Sequence, residues 1–186
     1  MIAEKEISTI PTTLAEFKLW EQNDGYNNDG FKYEWHDGEL IKFTGMNKKQ
    51  VYVYEYINDL FISKGYWKTG TLVAEYDVEL SVIQMRRPDI AYLTKEQVKL
   101  TKQGEDVVPE FVIEIISSND QIIKVRNKLS EYFKYGVKVV WLIYPDEHEI
   151  EVYTSYKQVK ICTENDICSA APVLPDFEIV VSELLN

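Results

Sequence analysis

Apolar positions recur along this chain in two rhythms, one of period two and one close to four, and the places where they alternate mark its elements. Residues 31–43, FKYEWHDGELIKF, alternate apolar and polar side chains around Asp37-Gly38, which predicts a β-hairpin closed by a two-residue turn. From about Asn47 to Ser63, Val51, Tyr54, Ile57, Leu60 and Phe61 recur at helical spacing. Short strand-like pieces follow as TLVAEY, DVELSV and RRPDIAYL. Thr94 with Gln97 three residues on marks the start of a brief helix, and Thr13 with Glu16 carries the same capping signature for a helix running to about Trp20. The Gly/Asn-rich EQNDGYNNDG after that first helix reads as a loop.

The second half is more regular. FVIEIIS reads as a buried strand and VKVVWLIYP as another, mostly β-branched and aromatic. Between them, QIIKVRNKLSEYFKYG places Ile122, Val125, Leu129, Tyr132 and Phe133 on one stripe and stops at Gly136, the pattern of an amphipathic helix. EIEVYTS and QVKIC form a trailing strand pair, and VLPDFEIVVSELL closes the chain. Strand–helix–strand at residues 111–144 predicts parallel neighbours joined by a right-handed crossover. The expected fold is α/β (α+β), a mixed sheet flanked by helices in a single domain over 1–186. An N-terminal helix and hairpin would occupy about 12–43, and a core about 47–186.

At 186 residues, with 45% hydrophobic and 27% charged residues, the chain has the length and mix of one ordinary globular domain. Charges in MIAEKEISTI stand where a secretory leader needs an apolar run, and no stretch approaches the ~18–20 apolar residues that span a bilayer. A soluble, cytoplasmic protein without a membrane partner is expected. Cys162 and Cys168 lack the spacing of a zinc or redox site and are expected to be ordinary reduced thiols. His36 and His148 are the only histidines, so a bound metal would be a hard, oxygen-preferring cation such as Mg²⁺ or Mn²⁺. The net charge of −11 opposes broad electrostatic adhesion to nucleic acid, and confines any such contact to a local, metal-assisted site.

Glu114 is the most informative residue. Val112, Ile113, Ile115 and Ile116 surround it, and an ionised carboxylate on a strand covered on both faces needs a compensating cation or good hydrogen bonds. A structural partner, Arg or Lys, would serve as well as a metal. Asp89 follows Pro88 at the start or edge of a strand, and two carboxylates from two strands can converge on one Mg²⁺. A surface ion pair with Arg86 or Arg87 is the competing reading for Asp89; Glu79, in DVELS, is read as structural. There is no Gly-rich phosphate loop, G-x-S-x-G or H-E-x-x-H.

RPDIAYL, then VPEFVIEIISSNDQ, the helix with KLSEYFKYG and the strand WLIYP, together with YEWHDGEL early and VLPDF late, resemble the Uma-two family of candidate bacterial endonucleases, a branch of the PD-(D/E)XK nuclease superfamily. The resemblance spans nearly the whole chain in order. It implies a restriction-endonuclease-like core in which Asp89 and Glu114 bind Mg²⁺ (or Mn²⁺), and hydrolysis of phosphodiester bonds in nucleic acid, DNA above RNA, by a homodimer. The superfamily's lysine usually lies two residues after the glutamate, where this chain has Ile116; in this branch a lysine on the following helix is taken as the substitute, and the matching position is Lys128. Lys128, three residues after Val125 and four before Tyr132, lies at the edge of the buried stripe, from which its ammonium could reach the sheet end. Lys124 lies further round the helix. Glu34 matches the family's tyrosine–glutamate pair as a further catalytic acid, or is a solvated hairpin residue. Asn47 and Lys48 stand where members often have a histidine, Ser118 where a proline is common, and Asp176 where the late motif has glycine. The rival reading is a non-catalytic, homodimeric protein-interaction module on the same fold, favoured by the acidity and by Ile116.

Overall fold

The computed structural model describes residues 10–22, 31–43, 45–118 and 120–185. The charged first nine residues, and most of the expected loop EQNDGYNNDG, lie outside the described residues. The hairpin forms as β1 (Lys32–His36) and β2 (Glu39–Phe43), antiparallel with His36 opposite Glu39. Asp37 and Gly38 take φ of 44° and 87°, the pair of left-handed turn residues that matches the twist of the strands. The hairpin is half of a four-stranded sheet, completed from the middle of the chain by β4 (Val78–Ser81) and β5 (Gln84–Arg86) in the order β2-β1-β5-β4. Helix α1 (Leu14–Trp20) covers it, stacking Phe17 on Trp35 with ring centroids 5.8 Å apart. Thr13 caps α1 by accepting from the Glu16 N–H at 3.2 Å, but the Glu16 carboxylate returns to the N–H and hydroxyl of Thr12, one residue earlier than a capping box requires.

The larger sheet has six strands. Its order is β10 (Gln158–Thr163), β9 (Glu149–Ser155), β8 (Val139–Tyr144), β7 (Phe111–Ile115), β6 (Ile90–Thr94) and β3 (Gly70–Ala74). Among the described residues only β7 and β8 pair in parallel, Ile113 opposite Trp141, and α4 (Ile122–Lys134) connects them, as strand–helix–strand requires. Alternation along the strands sends residues to two covered faces. Ile113, Trp141 and Ile143 pack with Val53, Ile57 and Phe61 of α2 (Lys48–Ser63), whereas Val112, Val140 and Leu142 pack with Leu129 and Tyr132 of α4. Helix α3 (Lys95–Lys102) opens with the expected Thr94–Gln97 capping box. Two-stranded β11 (Ile167–Ala170) and β12 (Leu174–Val180), then α5 (Val181–Leu185), finish the fold.

The helix phases and one strand differ from expectation. The buried stripe of α2 is Val53, Ile57 and Phe61, while Val51 is half exposed; tyrosines at 52, 54 and 56 blur the apolar period. Ile122 is 75% exposed, because the first turn of α4 runs past the sheet. RRPDIAYL is not one strand: Arg86 ends β5 in one sheet and Ile90 begins β6 in the other, with Pro88 between them unable to donate to a ladder. Among the described residues no helix is long and apolar enough to cross a membrane.

Candidate active site

The split of RRPDIAYL puts Asp89 in position. The antiparallel register of β6 on β7 pairs Ile90 with Ile113, and one step further along the same register Asp89 comes level with Glu114. Ala91 and Val112 face α4, so period-two alternation directs both carboxylates to that same face. Past the end of the β6–β7 ladder, Asp89 Oδ2 accepts the Ile115 N–H at 2.6 Å. Glu114 is buried, in a strand whose five residues are all buried.

Helix α4 supplies the groups that meet Glu114. Tyr132 donates its hydroxyl to Glu114 Oε1 at 2.5 Å, and Lys128 Nζ stands 3.4 Å from the same oxygen. The two residues are four apart, on one helix face. Lys128 Nζ also reaches Glu34 Oε1 at 2.8 Å, so it bridges the hairpin and the large sheet. Glu34 is 1% exposed: it accepts the Arg87 N–H at 2.9 Å and Arg86 Nη1 at 3.3 Å. Arg86 in turn grips Glu131 through Nε at 2.7 Å and Nη2 at 3.1 Å, and its Nη2 lies 2.7 Å from His36 Nδ1.

These contacts place each sequence candidate. Asp89, Glu114, Lys128 and Glu34 all line one cleft of about 320 Å³. Arg86 and Arg87, the alternative partners for Asp89, hold Glu131 with Glu34 and Asp77 with Glu21, respectively. Glu79 pairs with Lys18. Lys124 lines the cleft and is exposed. Lys48 lies at a separate hollow beside Lys49 and His148. Cys162 and Cys168 are buried free thiols.

The charges in the cleft are unevenly compensated. Burial raises the pKa of Glu34, but the Lys128 ammonium and Arg86 guanidinium outweigh it and hold Glu34 below its ordinary value. Glu114 is raised, by burial first and against the pull of Lys128. Asp89 is pushed up to about 7 by burial and by the Glu114 carboxylate, with the Ile115 N–H opposing. Lys128 is raised despite burial, because Glu114 and Glu34 flank its ammonium. Tyr132 is raised well above the ordinary phenol value by burial and by Glu114, so it stays a hydrogen-bond donor. Lys42, Lys124 and Lys128 line the cleft beside Glu34, Asp89, Glu114 and Asp120, so local basic groups offset part of the chain's acidity there.

The donor chemistry suits a hard cation. Asp89 and Glu114 are adjacent, poorly compensated carboxylates, and the Ile115 carbonyl lies beside them: the Gln50 amide nitrogen donates to Asp89 Oδ1 at 3.2 Å and to Ile115 O at 3.3 Å. One donor shared by a carboxylate and a carbonyl oxygen marks a place where oxygens converge, as they do around Mg²⁺ or Mn²⁺. Glu34 is turned onto Lys128 and the arginines, and among the described residues no group of three or more His, Cys, Asp or Glu could hold a metal. Two carboxylates and a carbonyl are therefore the set that could. Gln50 and the polar role of Tyr132 escaped sequence reasoning. The spacing Asn47-x-x-Gln50 is a capping-box signal that could have drawn attention to Gln50, and Tyr132, four residues after Lys128, could have been paired with it.

The sequence model of the Uma2 family, described as putative restriction endonuclease, matches residues 14–182. A crystal structure of a putative nuclease belonging to DUF820 from Anabaena variabilis superposes with a TM-score of 0.73 at 21% identity, covering 94% of this chain and 98% of that one. No curated protein matches the chain.

Proposed function

Because this chain belongs to the Uma2 family, we propose that it is a nuclease that hydrolyses phosphodiester bonds of nucleic acid with a divalent cation, on DNA in preference to RNA. The observation that carries the reading is the meeting of Asp89 and Glu114, at one level of the β6–β7 register, with the Lys128 ammonium. Asp89, Glu114 and the Ile115 carbonyl would hold Mg²⁺ or Mn²⁺. The chemistry supplied by such a cation would be polarisation of a phosphoryl oxygen and a lowered pKa of bound water.

The chain's own residues do the rest. Glu34 and Glu114 keep Lys128 protonated, so it serves as a fixed positive charge facing the phosphate rather than as a base. Glu34 anchors Lys128 from the hairpin, a positioning role, and Tyr132 fixes the Glu114 carboxylate. The description of the family as restriction endonucleases favours DNA, whose two antiparallel strands suit a homodimer with one site per strand.

The test is incubation of purified protein with plasmid DNA and with a structured RNA in Mn²⁺, with Asp89→Ala/Glu114→Ala as control. Nicking or linearisation by the wild type alone is expected; equal activity of the control would refute the assignment. The net charge of −11 favours a second reading, a non-catalytic homodimeric interaction module. An intact plasmid, with a dimer in sedimentation, would favour that one.

A further inference from the structure

The side chain of Gln50 joins two things that have no evident reason to be joined. Its Oε1 accepts the Asn47 N–H at 2.8 Å, closing the capping box of α2, while its Nε2 reaches across to Asp89 Oδ1 and the Ile115 carbonyl. A backbone N–H can only donate, so the cap requires oxygen on that side and turns the amide N–H₂ group into the cleft. Both of its acceptors there are hard oxygens, one from a carboxylate of the candidate cation site and one from the residue after Glu114. The two contacts, at 3.2 and 3.3 Å, are long beside the 2.6 Å bond that Ile115 N–H makes to the other oxygen of Asp89. Long hydrogen bonds are weak ones. The amide partly satisfies oxygens that would otherwise face one another unpaired, and holds them too loosely to be their best partner.

We propose that the Gln50 carboxamide is a place-holder for the cation: its N–H₂ group fills the space between Asp89 and the Ile115 carbonyl in the metal-free protein and gives way when a divalent ion binds. The inference rests on the reading of Asp89 and Glu114 as the cation site. Gln50 is thereby a positioning residue, which keeps two oxygens apart and aligned, and which sets the affinity of the site by competing for it. Cation binding also reaches the N-terminus of α2, since the atom that moves shares its amide with the cap.

Calorimetric titration of the full chain with Mn²⁺ at pH 8 tests this. Gln50→Met keeps the length of the side chain and removes the competing donor, so its Mn²⁺ dissociation constant should fall by about three- to tenfold, the worth of one weak hydrogen-bond pair. Gln50→Glu keeps the acceptor for the Asn47 N–H and puts an oxygen where the nitrogen was, so it should bind tighter still. A residue that merely caps the helix would leave the affinity of Gln50→Met unchanged. As a second readout, the side-chain N–H₂ resonances of Gln50 in the wild type, identified by their loss in Gln50→Glu, should shift saturably with Mg²⁺. Equal or weaker binding by Gln50→Met, or resonances that stay fixed at saturating Mg²⁺, overturns the place-holder while leaving the cation site standing. No saturable Mn²⁺ binding by the wild type or either variant overturns both readings.

Discussion

The two walls of the cleft treat their carboxylates differently. On the hairpin side, Glu34 and Glu131 share the Arg86 guanidinium, and Glu34 also receives the Lys128 ammonium and the Arg87 N–H. On the strand side, Asp89 has one short backbone hydrogen bond and one long amide contact, and Glu114 has a phenol and an ammonium 3.4 Å away. Glu34 is consequently held below its ordinary pKa, whereas Glu114 is raised and Asp89 reaches about 7. Burial weighs on all three. What differs is the positive charge supplied: matched carboxylates tie the hairpin to α4, and under-matched ones are left with capacity for a cation from outside.

The sharpest way to break the contrast is on the matched wall. Arg86→Met strands Glu34 and Glu131 without their shared guanidinium, and loss of one partner of a buried pair costs about 3–5 kcal/mol. Urea denaturation should show that loss with or without Mn²⁺. An unchanged midpoint would mean the network contributes nothing to stability.

Lys128 touches both walls, and its variant separates their roles. Lys128→Met should cut DNA slower by on the order of 10²–10³ while still gaining stability from Mn²⁺. Lys124→Met, at the exposed mouth of the cleft, should cut almost normally. If the two variants cut equally well, Lys128 does not carry the electrostatic role.

On the under-matched wall, Mn²⁺ at about a hundred times its dissociation constant should stabilise the protein by about 2.7 kcal/mol through linkage. Asp89→Ala/Glu114→Ala should lose this gain entirely. A gain that survives in the double variant would locate the ion elsewhere.

A further effect concerns Asp89 and pH. Its folded pKa of about 7 lies above the ordinary value of 3.8, so the folded, metal-free protein binds that proton more tightly than the unfolded chain does. The neutral carboxyl therefore contributes fully below about pH 4, and the contribution drains away as pH rises toward 7. Asp89→Asn, which cannot ionise, should raise the metal-free Tm at pH 8 and leave it unmoved at pH 4. The same Tm difference at both pH values would mean that the carboxylate charge is not what the wild type suffers from.

Much of this was legible in the residues and some was not, for physical reasons. The parallel pair β7–β8 follows from two apolar runs flanking an amphipathic helix, and the site candidates Asp89, Glu114, Lys128 and Glu34 do line one cleft. The hairpin was visible because Asp37-Gly38 has so few alternatives. Its partners were not, since pairing with β5 depends on a contact between Trp35 and Met85 fifty residues apart, which no local rhythm encodes. Strand β11 is four residues long and contains Cys168, Ser169 and Ala170, too short and too small in its side chains to announce itself. Gln50 was hidden for another reason. Its two roles depend on which end of an amide faces which neighbour, and that is settled only when α2, β6 and β7 meet.

One further consequence belongs to the joint between β5 and β6. Arg87, Pro88 and Asp89 alone separate a strand of the hairpin sheet from a strand of the six-stranded sheet, and a proline with fixed φ sits at its centre. Mechanically this is a joint with almost no slack: three residues leave the two sheets little room to tilt independently where Asp89 sits.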